Sequence, residues 1–121
     1  MTPKFPKQVH PMVVYTGIKT FTIKQQRLVK DNLYGCVEFP KCLLTIDPEQ
    51  CPEDYKGTLL HEICHIGFDC YGLGDDDEMP QMGNEYLTTV TSNMIQQLAG
   101  LNPELFEFIF SPNEWYPNHL S

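Results

Sequence analysis

The pattern of hydrophobic and polar residues in the first half of the chain predicts short β-strands. Residues 12–16 are β-branched and aromatic, residues 19–24 alternate between apolar and polar, and Thr16-Gly17-Ile18 separates the two runs. This arrangement predicts a β-hairpin. Two further apolar runs, at 36–39 and 42–47, predict two more strands. The short polar segment 26–33 between these pairs predicts a single helical turn.

After residue 50 the apolar residues recur every three or four positions, which predicts α-helices. The first helix starts at Pro52, is followed by acids in its first turn, and ends within Gly67–Gly72. Its core-facing stripe is Tyr55, Leu59, Ile63 and Ile66.

Two more helices are predicted after an acidic loop at residues 75–78. The first of them covers residues 80–99, with an apolar stripe formed by Leu87, Val90, Met94 and Leu98. The second covers residues 102–110, where Asn102 is the expected N-cap and Ser111-Pro112 the end. This last helix is unusually apolar, which favours packing on the core first and self-association second.

These elements predict a single α+β domain over residues 1–121, with a small twisted sheet of three or four strands packed on the helices. Residues 1–11 contain three prolines and are expected to form a loose N-terminal arm.

The net charge of −8 argues against nucleic-acid or anionic-membrane partners, because phosphate groups attract basic surfaces. No stretch is long and apolar enough to cross a bilayer. The five cysteines are odd in number and no secretory signal is visible, so reduced thiols in the cytoplasm are expected.

The first helix carries the chemistry that the sequence predicts. His61-Glu62-Ile63-Cys64-His65 places two imidazoles one helical turn apart on the face opposite the apolar stripe. This spacing lets both histidines reach one zinc ion, with Glu62 beside them as a general base. Cys64 is expected to be a small buried hydrophobe rather than a ligand.

A catalytic zinc site keeps three protein ligands and one open position, so a third ligand is needed. The candidate is Glu85, which follows His65 by twenty residues and lies opposite the apolar stripe of the second helix. The small polar residues around Glu85 would let this face approach the motif helix closely. An ordinary surface glutamate fits the same spacing equally well.

The segment 59–65, Leu-Leu-His-Glu-Ile-Cys-His, resembles the active helix of the zincin metallopeptidases. Asn84-Glu85 looks like the Asn-Glu of the gluzincin branch, which implies that Glu85 is the third zinc ligand. The metzincin pattern would have Gly in place of Phe68 and His or Asp in place of Tyr71, so that branch is disfavoured.

The order of elements over residues 12–110 is similar to that of small phage- and prophage-encoded metallopeptidases related to the ImmA/IrrE and SprT-like groups. The zinc motif is the specific part of this resemblance. It implies a minimal zincin fold in which the strand at 42–47 borders the cleft. It also implies a site in the host cytoplasm and, in the ImmA/IrrE case, cleavage of a repressor protein.

The expected function is therefore zinc-dependent hydrolysis of a peptide bond in a protein or peptide substrate, with one zinc per chain. Tyr71, Tyr86 and His119 are the candidates for stabilising the oxyanion.

The alternative is a non-catalytic zinc protein whose acidic loop and aromatic C-terminus bind a partner. In that case Asp69, an acid of the 75–78 loop, or His119 would fill the fourth position on the metal.

Overall fold

The computed structural model describes residues 9–28, 33–72 and 84–112. In this part of the chain, four strands form one sheet. Its strands are β1 (Val13–Tyr15), β2 (Thr20–Gln25), β3 (Gly35–Glu38) and β4 (Leu43–Ile46). The predicted hairpin is confirmed, because β1 and β2 pair antiparallel around a turn in which Gly17 has φ +86°. The predicted helical turn at 26–33 lies partly outside the described residues, and residues 26–28 form no helix.

The order of the strands in the sheet is β1-β2-β4-β3. β4 pairs parallel to β2 on one side and antiparallel to β3 on the other, so β4 is internal and β3 is an edge strand. A short 3₁₀ turn over Phe39–Lys41 joins β3 to β4 and ends at Cys42, whose φ of 50° is left-handed.

In the described part of the chain, three helices follow the sheet: α1 (Pro52–Cys70), α2 (Asn84–Leu101) and α3 (Pro103–Phe110). The mixed α+β class that the pattern predicts is confirmed. The predicted α2 extends back to residue 80, but residues 80–83 lie outside the described part of the chain. None of the described helices combines the length and apolarity that crossing a membrane requires.

The core lies between one face of the sheet and the three helices. Phe21 and Ile23 of β2 are buried while the intervening Thr22 is exposed, as expected when one face of a sheet is covered. The apolar stripe predicted for α1 is confirmed, because all four of its members are fully buried: Tyr55, Leu59, Ile63 and Ile66. The sheet and the stripe thus fix which face of α1 turns away from the core.

A buried hydrogen-bond chain anchors the start of α1. The ring of His10 donates from Nδ1 to the Pro11 carbonyl over 2.7 Å, so its Nε2 accepts from the Tyr55 hydroxyl, also over 2.7 Å. The amide of Gln25 donates to the same hydroxyl over 2.9 Å. Burial lowers the pKa of His10 and raises the pKa of Tyr55 to about 12, which keeps both groups neutral.

The side chain of Asn102 does not cap α3 as predicted, although Asn102 occupies the N-cap position. Instead its Oδ1 accepts from the backbone N–H of Tyr15 and its Nδ2 donates to the Tyr15 carbonyl, both over 2.8 Å. Nδ2 also donates to the Leu98 carbonyl over 2.9 Å. The amide therefore takes the place of a neighbouring strand along β1 and closes that edge of the sheet at Tyr15.

We expect Asn102→Ala to lower the free energy of unfolding by about 1 to 3 kcal/mol, because it removes the partner of the part-buried backbone N–H and carbonyl of Tyr15 and a buried hydrogen bond to the Leu98 carbonyl. Urea unfolding followed by circular dichroism measures this loss. Asn93→Ala on the exposed face of α2 is the matched control and should be neutral or slightly stabilising. Equal midpoints for Asn102→Ala and the unmodified chain would show that the amide does not hold the strand.

Candidate metal centre

The local sequence explains why the motif residues lie on a helix. Cys51 has an extended backbone at the N-cap, Pro52 follows at the first helical position, and Glu53 and Asp54 lie in the first turn. Proline and acids are both favourable there, because the first N–H groups have no partner within the helix. The helix then continues through Gly67, past the earliest predicted end, and stops before Gly72, whose φ is +68°.

The two motif histidines converge. The Nε2 atoms of His61 and His65 are 3.1 Å apart, and their ring planes cross at 81°. Two nitrogens bound to one tetrahedral zinc at 2.0–2.1 Å would be separated by about 3.3 Å. Both side chains are exposed, on the face of α1 away from the core. The pair therefore fits two ligands of a single zinc ion without a change of helix geometry.

Glu62 lies beside the pair but is only 8 % exposed. Burial raises the pKa of its carboxyl, and the neighbouring His61 and His65, when protonated, oppose that shift. No hydrogen bond or ion pair to Glu62 is found within the described residues. A buried carboxylate with no fixed partner is available to a water molecule or a substrate group, as a general base requires.

Edge strand β3 packs directly against the motif helix at Gly35. A Cβ atom at this position would lie 2.8 Å from Cγ2 of Thr58 and 3.1 Å from Cγ of Glu62. Only glycine permits this approach without a shift of one element. The strand predicted to border the cleft was 42–47, and that prediction is wrong: it is the internal β4, and β3 flanks α1 instead.

Gln50 joins the strand side of the site to the helix side. Its amide nitrogen donates to the carbonyls of Asp47 over 2.8 Å and Tyr34 over 3.3 Å, and its Oε1 accepts from the Thr58 hydroxyl over 2.9 Å. The side chain is 5 % exposed. Sequence reasoning missed both Gly35 and Gln50, because only the tertiary contact between β3 and α1 gives them a role.

A cleft of about 900 Å³ runs along α1 from its first turn to the motif. The lining residues come from the approach to β3, the β4–α1 loop and one face of α1, and they include both His61 and Glu62. Leu33 and Tyr34 form an apolar rim, at 44 % and 64 % exposure. The site is therefore open to an extended ligand rather than enclosed.

Among the described residues, no three His, Cys, Asp or Glu side chains come together to hold a metal ion. Glu85, the predicted third ligand, is exposed in the first turn of α2 and does not join the histidine pair. The acid run 75–78 and His119 lie outside the described residues. The role of Glu85 as third ligand stays a prediction.

The packing of α2 on α1 differs from the prediction. The small polar face that carries Glu85 was expected to approach the motif helix, but its members Thr88 and Ser92 are exposed. The close approach instead uses the apolar stripe: a Cβ at Gly67 would lie 2.6 Å from Sδ of Met94. Met94 is nine residues after Glu85, about 13 Å further along the helix axis.

The other residues predicted to act at the site lie in different surroundings. The hydroxyl of Tyr71 donates to the Thr16 carbonyl over 3.0 Å, so it is occupied by the hairpin turn. Tyr86 and Asp69 are exposed. Cys64 is half-buried, and burial raises the pKa of its thiol.

Comparison of the chain with models of protein families, with curated proteins and with solved structures finds no match. The function of the chain is therefore inferred from the geometry and chemistry of the site itself.

Proposed function

We propose that the chain is a zinc-dependent metallopeptidase that hydrolyses a peptide bond in a protein or peptide substrate. The observation that carries the proposal is the convergence of His61 and His65, whose Nε2 atoms are 3.1 Å apart. Beside them the buried Glu62 lines an open cleft and has no hydrogen-bond partner among the described residues. The proposed compartment is the cytoplasm, in keeping with the absence of a disulfide bond between the described cysteines.

His61 and His65 would hold the metal through Nε2, with Glu85 proposed as the third ligand. Zinc bound there supplies a Lewis acid that makes water more acidic and polarises a carbonyl. Glu62 accepts the proton of the attacking water and passes it to the leaving amine. Glu62 lines the same cleft as His61, which places its carboxyl on the side from which a substrate would approach.

The position of β3 supports a peptide as the substrate class. Among the described residues β3 is an edge strand, and it packs on α1 at Glu62. The opposite edge of the sheet is closed at Tyr15 by Asn102. An extended peptide can add to an edge strand through backbone hydrogen bonds. A peptide on β3 would bring one of its carbonyls close to the motif.

Hydrolysis of a quenched fluorescent peptide library by the zinc-loaded protein tests the proposal. We expect cleavage that stops when a chelator is added and returns with zinc. Absence of cleavage by a protein that holds one zinc per chain would favour the non-catalytic zinc protein. Among the described residues, His61 and His65 come together without a third metal-binding side chain, and this observation favours that alternative.

A further inference from the structure

One buried side chain holds the segment that precedes β1. Among residues 9–11, only His10 is buried, at 6 % exposure, whereas Val9 is exposed and Pro11 is half-buried. From Met12 onward the chain is held by the sheet, because the Met12 carbonyl accepts from the backbone N–H of Ile23 over 2.8 Å. The position of residues 9–11 therefore depends on the His10 ring.

A single hydrogen bond joins this segment to the helices. The Nε2 atom of His10 accepts from the Tyr55 hydroxyl of α1, and within the described part of the chain no other hydrogen bond links residues 9–11 to residues after Pro11. The imidazole also packs on two aromatic rings. Its centroid lies 5.7 Å from that of Tyr55 and 4.8 Å from that of Phe108 in α3. One side chain thus docks the segment on two helices.

The hydrogen bonds around the ring require a neutral imidazole. Nδ1 carries the hydrogen that is donated to the Pro11 carbonyl, so Nε2 accepts from Tyr55 only while it is unprotonated. After a second proton binds at Nε2, the hydroxyl can no longer donate to that atom. The hydroxyl oxygen already accepts from the Gln25 amide over 2.9 Å, so reversal of the bond would place a second donor on the same oxygen.

The surroundings of the ring do not compensate a positive charge. From α1 the ring is faced by the Tyr55 hydroxyl, and Nζ of Lys56 lies 5.1 Å from the centroid of the same Phe108 ring that His10 contacts. β2 contributes the neutral amide of Gln25, and α3 contributes the Phe108 ring. Among the described residues no carboxylate contacts His10. A charged imidazole would therefore share an aromatic contact with a cation and have no anion beside it.

We propose that protonation of His10 releases residues 9–11 from α1 and α3 while the sheet and the helices stay folded. Release lets water solvate the charged ring, which the docked position does not allow. The sheet does not depend on this contact, because β1 is held by β2 and by the amide of Asn102. The docked ring is thus an acid-sensitive contact that controls the exposure of Tyr55 and Phe108.

The direction of the pKa shift gives the pH window. Burial lowers the pKa of the docked His10 ring from its ordinary value of 6.5, and the hydrogen bond to Pro11 partly opposes that shift. The released ring therefore binds a proton more readily than the docked ring. Docking is fully favoured above about pH 6.5 and is lost as the pH falls. The ratio of docked to released segment should drop by up to about tenfold for each pH unit below that value.

NMR of the full chain with labelled histidine and aromatic side chains tests the release between about pH 7.5 and about pH 5. We expect nuclear Overhauser effects between the His10 and Tyr55 rings at the upper end, and their loss as His10 titrates. The amide signals of β2 and β4 should stay dispersed throughout. Contacts that persist after the ring has titrated, or that persist to about pH 5, would overturn the inference. Unfolding of the whole domain together with the loss of contacts would also overturn it.

His10→Gln is the matched variant, because a glutamine amide donates and accepts hydrogen bonds but does not titrate. It also assigns the His10 signals by their disappearance. As the pH falls below about 6.5, the urea midpoint of the unmodified chain should fall relative to that of His10→Gln. A constant difference between the two midpoints would contradict a role for this proton.

Tyr55→Phe provides a second test if His10→Gln does not fold. It keeps the ring but removes the hydroxyl that donates to the neutral Nε2 atom. Because this hydrogen bond favours the neutral imidazole, its loss should move the release of the segment to a higher pH. An unchanged release midpoint in the NMR titration would overturn the inference.

Discussion

Replacing Glu62 by Gln is expected to lower peptide hydrolysis by about 10²- to 10⁴-fold, the usual contribution of a positioned general base. Glutamine has the same shape and fills the same buried position against Gly35, but it cannot accept the proton. Since the proposed ligands are unchanged, the zinc content of this variant should equal that of the unmodified chain. The measurement is kcat/KM on the cleaved library peptide, with metal content by mass spectrometry.

Glu107→Gln is the matched control for this substitution, because it makes the same change of side chain at an exposed position of α3 that does not line the cleft. Its hydrolysis should stay within about twofold of the unmodified rate, since exposed substitutions away from a site have small effects. Full activity in Glu62→Gln with zinc retained would exclude Glu62 as the base.

A second large effect is expected at the crossing of α1 and α2. At Gly67 a Cβ would lie 2.6 Å from Sδ of Met94 and 3.0 Å from Cδ1 of Leu98, and both of these side chains are buried. Gly67→Val would force the buried Met94 and Leu98 side chains to repack, at a cost of about 1 to 3 kcal/mol in the free energy of unfolding. Urea unfolding would show a lower midpoint with an unchanged slope.

Gly57→Val in the same helix separates crowding from helix propensity. A Cβ at Gly57 meets no atom within 4 Å, so only the intrinsic preference of valine over glycine contributes, and stability should change by about 0.5 kcal/mol or less. If Gly67→Val were as stable as Gly57→Val, the close packing of α2 on α1 would be wrong.

The hydrophobic pattern predicts the elements well because each depends on a local period. The stripe of α1 is fully buried, and the alternation in β2 matches one covered face of the sheet. The convergence of His61 and His65 can also be predicted from the sequence, since two side chains four residues apart on a helix point to the same side.

Features that depend on packing between distant segments could not be predicted in this way. The strand at 42–47 was expected to border the cleft, yet two hydrogen-bonded neighbours make it internal. Asparagine is a common residue at helix N-caps, but the side-chain amide of Asn102 pairs with Tyr15, which is 87 residues earlier in the chain. Gly35 gains its role only because β3 meets Glu62. No local period encodes these partners.

Metal content by mass spectrometry of the protein purified without a histidine tag decides whether His61 and His65 hold zinc. We predict about one zinc per chain, lost in His61→Ala and in His65→Ala while circular dichroism stays unchanged, and weakened in Glu85→Gln if Glu85 is the third ligand. If the unmodified protein held no zinc after reconstitution under reducing conditions, His61 and His65 would not be zinc ligands.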